Sequence, residues 1–313
     1  MRITPAVCLV FLAACSPRKA APKSPITVFA AASLARSLAA LADTLQRREG
    51  IVVERELGGS IEHARKITEL GRVPDALMLV DDDVIAALLP THLEWYVRFA
   101  TNRVVLAYLP RSRFADSVTA ENWWRFVRRP GVRLGRADPA SAPAGRHALT
   151  VLRRASSYYR QPDLTDSLLA RASLKYVRPN ATELAALLEA GEVDYVLDYE
   201  SVARQYGFDF IALPDDLAVA VVYGISVPRQ ATHPVEAVEF VALVLSADGR
   251  RILRDGNVNV LPVPVAIGTN IPAKITQLVR TVATRPPTRG AAVGRHATDA
   301  SQHASFTPAR SRG

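Results

Sequence analysis

Apolar runs of strand length alternate with helix-period segments along most of the chain, and this alternation constrains the fold more than any other feature. The strand candidates are residues 26–31, 51–56, 76–80, 103–109, 132–137, 193–199, 210–214 and 221–227. The helix candidates are residues 34–48, 61–70, 82–88, 119–128, 145–159, 163–171, 181–190, 199–206, 234–245 and 247–255. Strand followed by helix, repeated, favours mixed, mostly parallel sheets that helices cover on both faces. The sequence therefore predicts an α/β protein.

So many helices are crowded on one sheet, so two lobes are expected. The long apolar strands at 103–109 and 221–227 are candidates for the two crossovers between the lobes. Lobe 1 would then comprise residues 26–102 plus 225–279, and lobe 2 residues 103–224. A double crossover of this kind places a ligand in the cleft between the lobes, where hinge closure can enclose it.

The first 25 residues are predicted to be a lipoprotein signal and linker. Arg2 precedes an apolar run that ends in Leu-Ala-Ala-Cys at Cys15, and a polar stretch follows. This is the layout of a secretory signal, and the run is too short to span a bilayer. The tetrad resembles a bacterial lipobox, which implies that Cys15 becomes the lipid-modified N-terminus. A cleaved signal with an incidental cysteine is the alternative.

The net charge of +9 does not indicate a nucleic-acid partner. The excess positive charge lies in residues 1–25 and 280–313, and the part between them is formally neutral. A nucleic-acid binder concentrates positive charge on one structured face. Residues 280–313 are rich in Pro, Gly, Ala, Ser and Thr, so they are predicted to be a disordered basic tail.

Two predicted strand-to-helix turns each place a serine where a helix begins. These serines are Ser33 and Ser60. A helix N-terminus offers unpaired backbone N–H groups and the positive end of the helix dipole, so the two turns could converge on one anion. Because serine is also a favoured N-cap, simple helix capping is the alternative.

Six segments resemble, in order and spacing, the molybdate- and tungstate-binding proteins of ABC transporters. They are FAAASLARSL, GGSIEHARKITELGRVPDALMLVDD, WYVRFATNRVVLAY, ADPASAPAGRHAL, VRPNATELAALLEAGEVDYVLDYESVA and VVYGISVP. The likeness covers about residues 26–272 and is nearest to the archaeal-type tungstate/molybdate branch. The resemblance implies a two-lobed, type II periplasmic-binding fold. It also implies capture of an oxyanion without chemistry and without a cofactor.

Carried over residue by residue, the resemblance implies an oxyanion site of five residues. Ser33 and Ser60 match the two oxyanion-binding serines. Ala142 and Ala181 match positions that donate backbone N–H groups. Tyr199 matches the tyrosine whose phenol closes the site. All these donors are neutral, which suits a dianion that is held by dipoles.

Asp198 stands where the archaeal-type branch has a glutamate that adds carboxylate oxygen to the metal of the anion. Aspartate is one methylene shorter, and Ala142 stands where that branch has a second, loop carboxylate. Two alternatives remain for Asp198. It is a metal-coordinating carboxylate, or it points away because a carboxylate repels a dianion.

A serine-dependent enzyme fits the sequence poorly. The segment GGSIE at residues 58–62 lacks the second glycine of a nucleophile elbow. His63, three residues beyond Ser60, is expected on the helix surface. The acidic triplet at residues 81–83 is expected to be a solvated helix start and not a metal site.

The sequence thus predicts a periplasmic or cell-surface lipoprotein that captures molybdate or tungstate and delivers it to an ABC permease. We expect a monomer that is anchored to the membrane through Cys15 and binds no nucleic acid. The alternatives are a binding protein for another tetrahedral oxyanion, sulfate or phosphate, and a serine-dependent extracytoplasmic hydrolase. A site of donors alone should reject phosphate, whose proton needs an acceptor, and should distinguish sulfate mainly by its shorter bonds.

Overall fold

A computed structural model describes residues 23–284 of the chain. The predicted signal, the lipidation site Cys15 and the tail beyond residue 284 lie outside the described residues. The described residues from 23 to 283 group into one compact unit. Within the described range, no helix has the length and apolar character that crossing a membrane requires.

Strands and helices alternate as the sequence predicts. The strands are β1 Ile26–Ala31, β2 Val53–Gly58, β3 Ala76–Val80, β4 Trp95–Tyr108, β5 Leu134–Ala137, β6 Val177–Arg178, β7 Tyr195–Tyr199, β8 Asp209–Ala212, β9 Ala220–Ser226 and β10 Asn259–Gly268. The α-helices are α1 Ala35–Glu49, α2 Ser60–Thr68, α3 Asp82–Ala86, α4 Trp123–Val127, α5 Pro143–Tyr159, α6 Leu164–Arg171, α7 Ala181–Glu189, α8 Glu200–Tyr206, α9 Pro234–Leu245, α10 Ala247–Asp255 and α11 Ala273–Thr284. Short 3-10 helices occupy Ala32–Leu34 and Leu174–Tyr176.

The strands form one mixed sheet with the order β2-β1-β3-β9-β4-β7-β5-β6, and β8 and β10 also pair with β4. β1 is parallel to β2 and β3, and β5 is parallel to β6 and β7. Every antiparallel pairing involves β4 or β9, which contain the two strands predicted as crossovers. The predicted mixed α/β class is confirmed.

The long strand β4 joins two groups of strands. Its first part pairs with β9 and β10, and its last part, from Val104 to Tyr108, pairs with β7 and β8. The first group therefore draws on both ends of the described chain, as the predicted lobe 1 does. β9 belongs to this group from Ala220 onward. The division into lobes at residues 102 and 225 stays a prediction.

The sequence pattern does not predict β10 or α11. β10 contains Pro262 and Pro264, which normally argue against a strand. It pairs only with β4, and its register shifts between Val260 and Val265. Prolines are tolerated there because an edge strand or a bulge leaves some backbone N–H groups without a ladder partner. α11 continues to Thr284, past residue 280, where the sequence predicts the tail.

The interior strands show why the chain needs helices on both faces. Every residue of β3 and of β7 is buried. On one face α1 contributes Leu38, Leu41 and Leu45, which recur at helical spacing and are buried. The helix ends at Gly50, whose φ of 67° is left-handed. Helices thus cover the buried strands, and the turns that lead into the helices lie at the ends of the strands.

Candidate functional site

Several helices begin around one small cavity near the middle of the molecule. The 3-10 turn before α1, and the starts of α2, α5, α7 and α8, all supply residues to its wall. Each helix start presents N–H groups and a partial positive charge to the cavity. The five predicted residues all line it: Ser33, Ser60, Ala142, Ala181 and Tyr199. Their role in binding an anion stays a prediction.

The cavity is small and its wall carries no ionisable group other than the Tyr199 phenol. A volume of about 20 Å³ is open to the centres of oxygen-sized atoms. A sphere of that volume has a radius of about 1.7 Å. Two larger openings, of about 610 and 640 Å³, lie elsewhere and contain charged side chains such as Arg154 and Arg204. Neither of these openings contains a predicted site residue.

The start of α2 touches the loop before α5 directly across the cavity. A Cβ on Gly59 would lie 2.1 Å from the Ser141 carbonyl oxygen, so only glycine fits there. The Glu62 N–H donates to that same oxygen at 3.0 Å. This contact joins residues of the predicted lobe 1 to residues of the predicted lobe 2. The glycine before Ser60 therefore permits a close approach of the two parts of the chain.

Backbone amides are the first group of available donors. The N–H groups of Ser33, Ser60 and Ala181 have no acceptor among the described residues. The Ala142 N–H donates to the Asp138 carbonyl oxygen at 2.9 Å. The N–H of Ala144, also in the cavity wall, has no acceptor within residues 23–284. The role of Ala142 in binding an anion stays a prediction, and Ala144 offers an unpaired N–H in the same turn.

Hydroxyl groups are the second group of donors. The Ser33 Oγ lies 3.0 Å from the Tyr223 hydroxyl, and the Ser60 Oγ accepts the Val80 N–H at 3.0 Å. Neither serine makes a side-chain capping bond to its helix. Both hydroxyls belong to residues of the cavity wall, so simple capping does not account for these serines.

The Tyr199 hydroxyl is held by a histidine that the sequence analysis did not select. It lies 3.1 Å from the Nδ1 of His147, on α5. The Nε2 of His147 is 3.4 Å from the Oδ2 of Asp81. Asp81 also caps α3 by accepting the Asp83 N–H, so it is more than a solvated helix start. His147 had no sequence signal beyond its place in the first turns of a helix at the site.

Asp198 does not belong to the wall of the cavity. It is buried in β7, where its Oδ1 accepts the Tyr199 N–H at 2.8 Å. Its Oδ2 is buried and has no hydrogen-bond partner among the described residues. Burial raises the pKa of this carboxyl to about 7. The arrangement favours the alternative in which Asp198 points away from the anion.

His63 is buried and not on the helix surface, which corrects the prediction. Its Nε2 lies 3.1 Å from the Ala30 carbonyl oxygen, and its ring stacks on Phe29. Burial lowers the pKa of His63 to about 4. The hydroxyl of Ser60 is bonded to Val80 and not to His63, so these residues do not form a nucleophile and base. In residues 23–284, no three His, Cys, Asp or Glu side chains cluster as a metal site.

Comparisons with known proteins show to which family the sequence is similar. Residues 26–256 match the family described as bacterial extracellular solute-binding proteins. The molybdate/tungstate-binding protein WtpA of Pyrococcus abyssi is 30% identical over 277 residues, which are 73% of this chain and 80% of that protein. The resemblance seen in the six segments is thereby confirmed.

Two solved structures share the fold. The periplasmic molybdate-binding protein of Azotobacter vinelandii has a TM-score of 0.62 and 16% identity, covering 76% of this chain and 99% of that chain. The sulfate-binding protein SubI from Mycobacterium tuberculosis H37Rv also has a TM-score of 0.62, with 15% identity, covering 83% of this chain and 92% of that chain. At these identities the likeness concerns the fold alone, and it confirms the predicted periplasmic-binding fold.

Proposed function

Because the chain belongs to the family of bacterial extracellular solute-binding proteins, we propose that it captures molybdate or tungstate and delivers it to an ABC importer. The 30% identity with WtpA of Pyrococcus abyssi supports this choice of ligand. The observation that carries the proposal is the convergence of several helix starts on one cavity without a charged side chain in its wall.

The donors of the cavity suit an anion whose oxygens all accept hydrogen bonds. We infer that the amides of Ser33, Ser60, Ala144 and Ala181 and the hydroxyls of Ser33, Ser60 and Tyr199 surround the ligand. Ala142 lies in the same wall, and its N–H donates to the Asp138 carbonyl oxygen. Hydrogen bonds to a charged group contribute about 1.5–3 kcal/mol each. After the cost of ordering, several of them are compatible with binding on the order of −8 kcal/mol, which corresponds to a micromolar Kd or tighter.

We expect the length of the bonds to oxygen to distinguish molybdate and tungstate from smaller anions. Sulfate and phosphate have shorter bonds, so their oxygens would lie farther from some donors. Sulfate is nevertheless the second candidate, because a sulfate-binding protein shares the fold equally well.

Calorimetric titration with molybdate, tungstate, sulfate and phosphate tests the proposal. We expect molybdate and tungstate to bind at least about tenfold more tightly than sulfate, and phosphate to bind most weakly. Phosphate or sulfate as the tightest ligand would overturn the choice of anion. Failure of all four anions to bind would overturn the oxyanion site itself.

We further propose that Cys15 carries a lipid that anchors a monomeric protein on the outer side of a membrane. The lipobox-like tetrad before this residue supports the proposal. A Cys15→Ala variant that moves from the membrane fraction to the soluble extracytoplasmic fraction is the expected result. Membrane association unchanged by Cys15→Ala would contradict the anchor and leave the binding site unaffected.

A further inference from the structure

Hydrogen bonds connect three buried residues next to the cavity: Asn102, Tyr223 and Ser33. They come from β4, β9 and the turn before α1. The Asn102 Nδ2 lies 2.8 Å from the Tyr223 hydroxyl, and that hydroxyl lies 3.0 Å from the Ser33 Oγ. Only Ser33 reaches the cavity wall. The directions of the protons in these hydrogen bonds can be worked out from the groups that surround them.

The orientation of the Asn102 amide follows from two backbone groups. Its Oδ1 accepts the N–H of Arg103 at 3.0 Å and the N–H of Ser201 at 3.3 Å. Backbone amides only donate, so the atom that faces them must be the oxygen. The Nδ2 of Asn102 then faces the hydroxyls of Ser201 and Tyr223 and donates to both.

This donation sets the direction of the Tyr223 proton. Its hydroxyl oxygen accepts from Asn102, and its remaining polar neighbours are Ser33 and Ser201. Of these two, the Ser33 Oγ lies at direct hydrogen-bonding distance, 3.0 Å, so the Tyr223 hydrogen points to it. Burial raises the pKa of Tyr223 above its ordinary value, so the phenol keeps its proton. The Ser33 oxygen thus receives a hydrogen bond from behind, and its own hydrogen is left to point into the cavity.

A single backbone N–H group orients the Ser60 hydroxyl as a donor in the same way. Its Oγ accepts the Val80 N–H, and a backbone amide cannot reverse its role. Two of the three hydroxyls in the cavity wall thus already accept one hydrogen bond from the protein, and each has its own hydrogen to offer to the ligand. A ligand oxygen that carries a proton meets the serine hydrogen on that side and is disfavoured.

We propose that Asn102 and Tyr223 are positioning residues that determine selectivity by fixing the Ser33 hydroxyl as a donor. They favour fully deprotonated oxyanions over those that keep a proton at neutral pH. This inference rests on the proposed function. It goes beyond it by naming residues that do not line the cavity and by stating what they do to specificity.

The test is Tyr223→Phe, titrated with molybdate, sulfate and phosphate near neutral pH. Without the phenol, the Ser33 hydroxyl can rotate and accept, so the gap between molybdate and phosphate should narrow by about tenfold or more. Sulfate carries no proton at this pH. The ratio of sulfate to molybdate affinity should therefore stay within about twofold of the wild-type ratio.

Two further variants distinguish the hydrogen bonds from Asn102 through Tyr223 to Ser33, here called the relay, from a merely structural effect. Tyr195→Phe removes a buried phenol that donates to the Arg113 carbonyl oxygen and does not line the cavity, so its phosphate to molybdate ratio should match wild type. Adding Ser33→Ala to Tyr223→Phe should abolish the gain of phosphate, because the freed hydroxyl is gone. If Tyr223→Phe fails to fold, Asn102→Asp serves instead, since a carboxylate only accepts and draws the Tyr223 proton away from Ser33.

Equal weakening of all three anions by Tyr223→Phe would overturn the relay, because a distorted site does not distinguish protonated from bare oxygens. A wild-type protein that binds none of the anions would instead overturn the proposed function. The two failures are therefore distinguishable in one set of titrations.

Discussion

The cavity holds its hydroxyl groups in different ways on its two sides. On the serine side, formed by Ser33 and Ser60, the groups behind the hydroxyls are a phenol, an amide side chain and a backbone N–H. On the tyrosine side, formed by Tyr199, the group behind the hydroxyl is the His147 ring, with Asp81 beyond it. A backbone N–H or an amide NH₂ group can only donate, so it defines the direction of the hydrogen bond that it makes. The His147 ring nitrogen donates to the phenol or accepts from it according to its tautomer.

A substitution at the contact between Gly59 and the Ser141 carbonyl oxygen should have the largest effect. Gly59→Ala would place a Cβ 2.1 Å from the Ser141 carbonyl oxygen, a backbone atom that cannot move aside cheaply. The serine side and the tyrosine side then cannot approach each other around an anion. We expect molybdate affinity, measured by calorimetry, to fall by about 1000-fold, or roughly 4 kcal/mol.

A matched glycine provides the control for this comparison. Gly50 also adopts a positive φ, of 67°, but a Cβ there would meet nothing within 4 Å. Gly50→Ala should lower stability slightly through backbone strain and leave the affinity unchanged. An affinity of Gly59→Ala within about threefold of wild type would show that the two sides need not meet as they do here.

The buried carboxylate of the tyrosine side should make stability depend on pH. Burial raises the pKa of Asp198 to about 7 in the folded chain, from 3.8 when exposed. The folded state binds this proton more tightly, so the contribution of Asp198 to stability is full below about pH 4 and is lost as the pH rises toward 7. Asp198→Asn should therefore raise the free energy of unfolding at pH 8 by roughly 2–4 kcal/mol.

Urea unfolding at pH 8 and at pH 4 measures this difference. The gain from Asp198→Asn should be large at pH 8 and near zero at pH 4, where the wild-type carboxyl is also neutral. Asp209→Asn, an exposed carboxylate on the neighbouring strand β8, should change neither value. A gain that is equal at both pH values would mean that the ionised carboxylate is not the destabilising group.

The smallest expected effect concerns His147. Its Nδ1 lies 3.1 Å from the Tyr199 hydroxyl, and its Nε2 lies 3.4 Å from the Asp81 Oδ2. His147→Phe removes the hydrogen-bond partner that positions the phenol, so molybdate affinity, measured by calorimetry, should fall by about tenfold or less. An affinity of His147→Phe equal to that of wild type would show that the phenol is positioned without this ring.

Sequence reasoning located the parts of the site that belong to local motifs. Ser33, Ser60, Ala181 and Tyr199 each stand beside the start of a helix, and the structure brings all of them to one cavity. Ala142 shows what local reasoning does not supply. In this turn the Ala142 N–H donates to the Asp138 carbonyl oxygen, and the N–H of Ala144 has no acceptor among residues 23–284.

Residues that act from behind the cavity have no local signal. Tyr223 is 190 residues from Ser33 and 121 residues from Asn102 along the chain. His147, on α5, and Asp81, which follows β3, are far apart in the chain and meet only in the folded structure. The sequence pattern does not predict the proline-containing strand β10 for a similar reason, because its pairing with β4 makes it a strand.

The sequence by itself determined the order of strands and helices, the small residues at the helix starts and the absence of charge excess in the folded part. These properties depend on neighbours a few residues apart. Only the tertiary structure decided which amides stay unpaired, that His63 is buried, and which groups the hydroxyls of Ser33 and Ser60 contact. A hydrogen bond takes its direction from the partner that packing supplies, and here those partners come from distant strands.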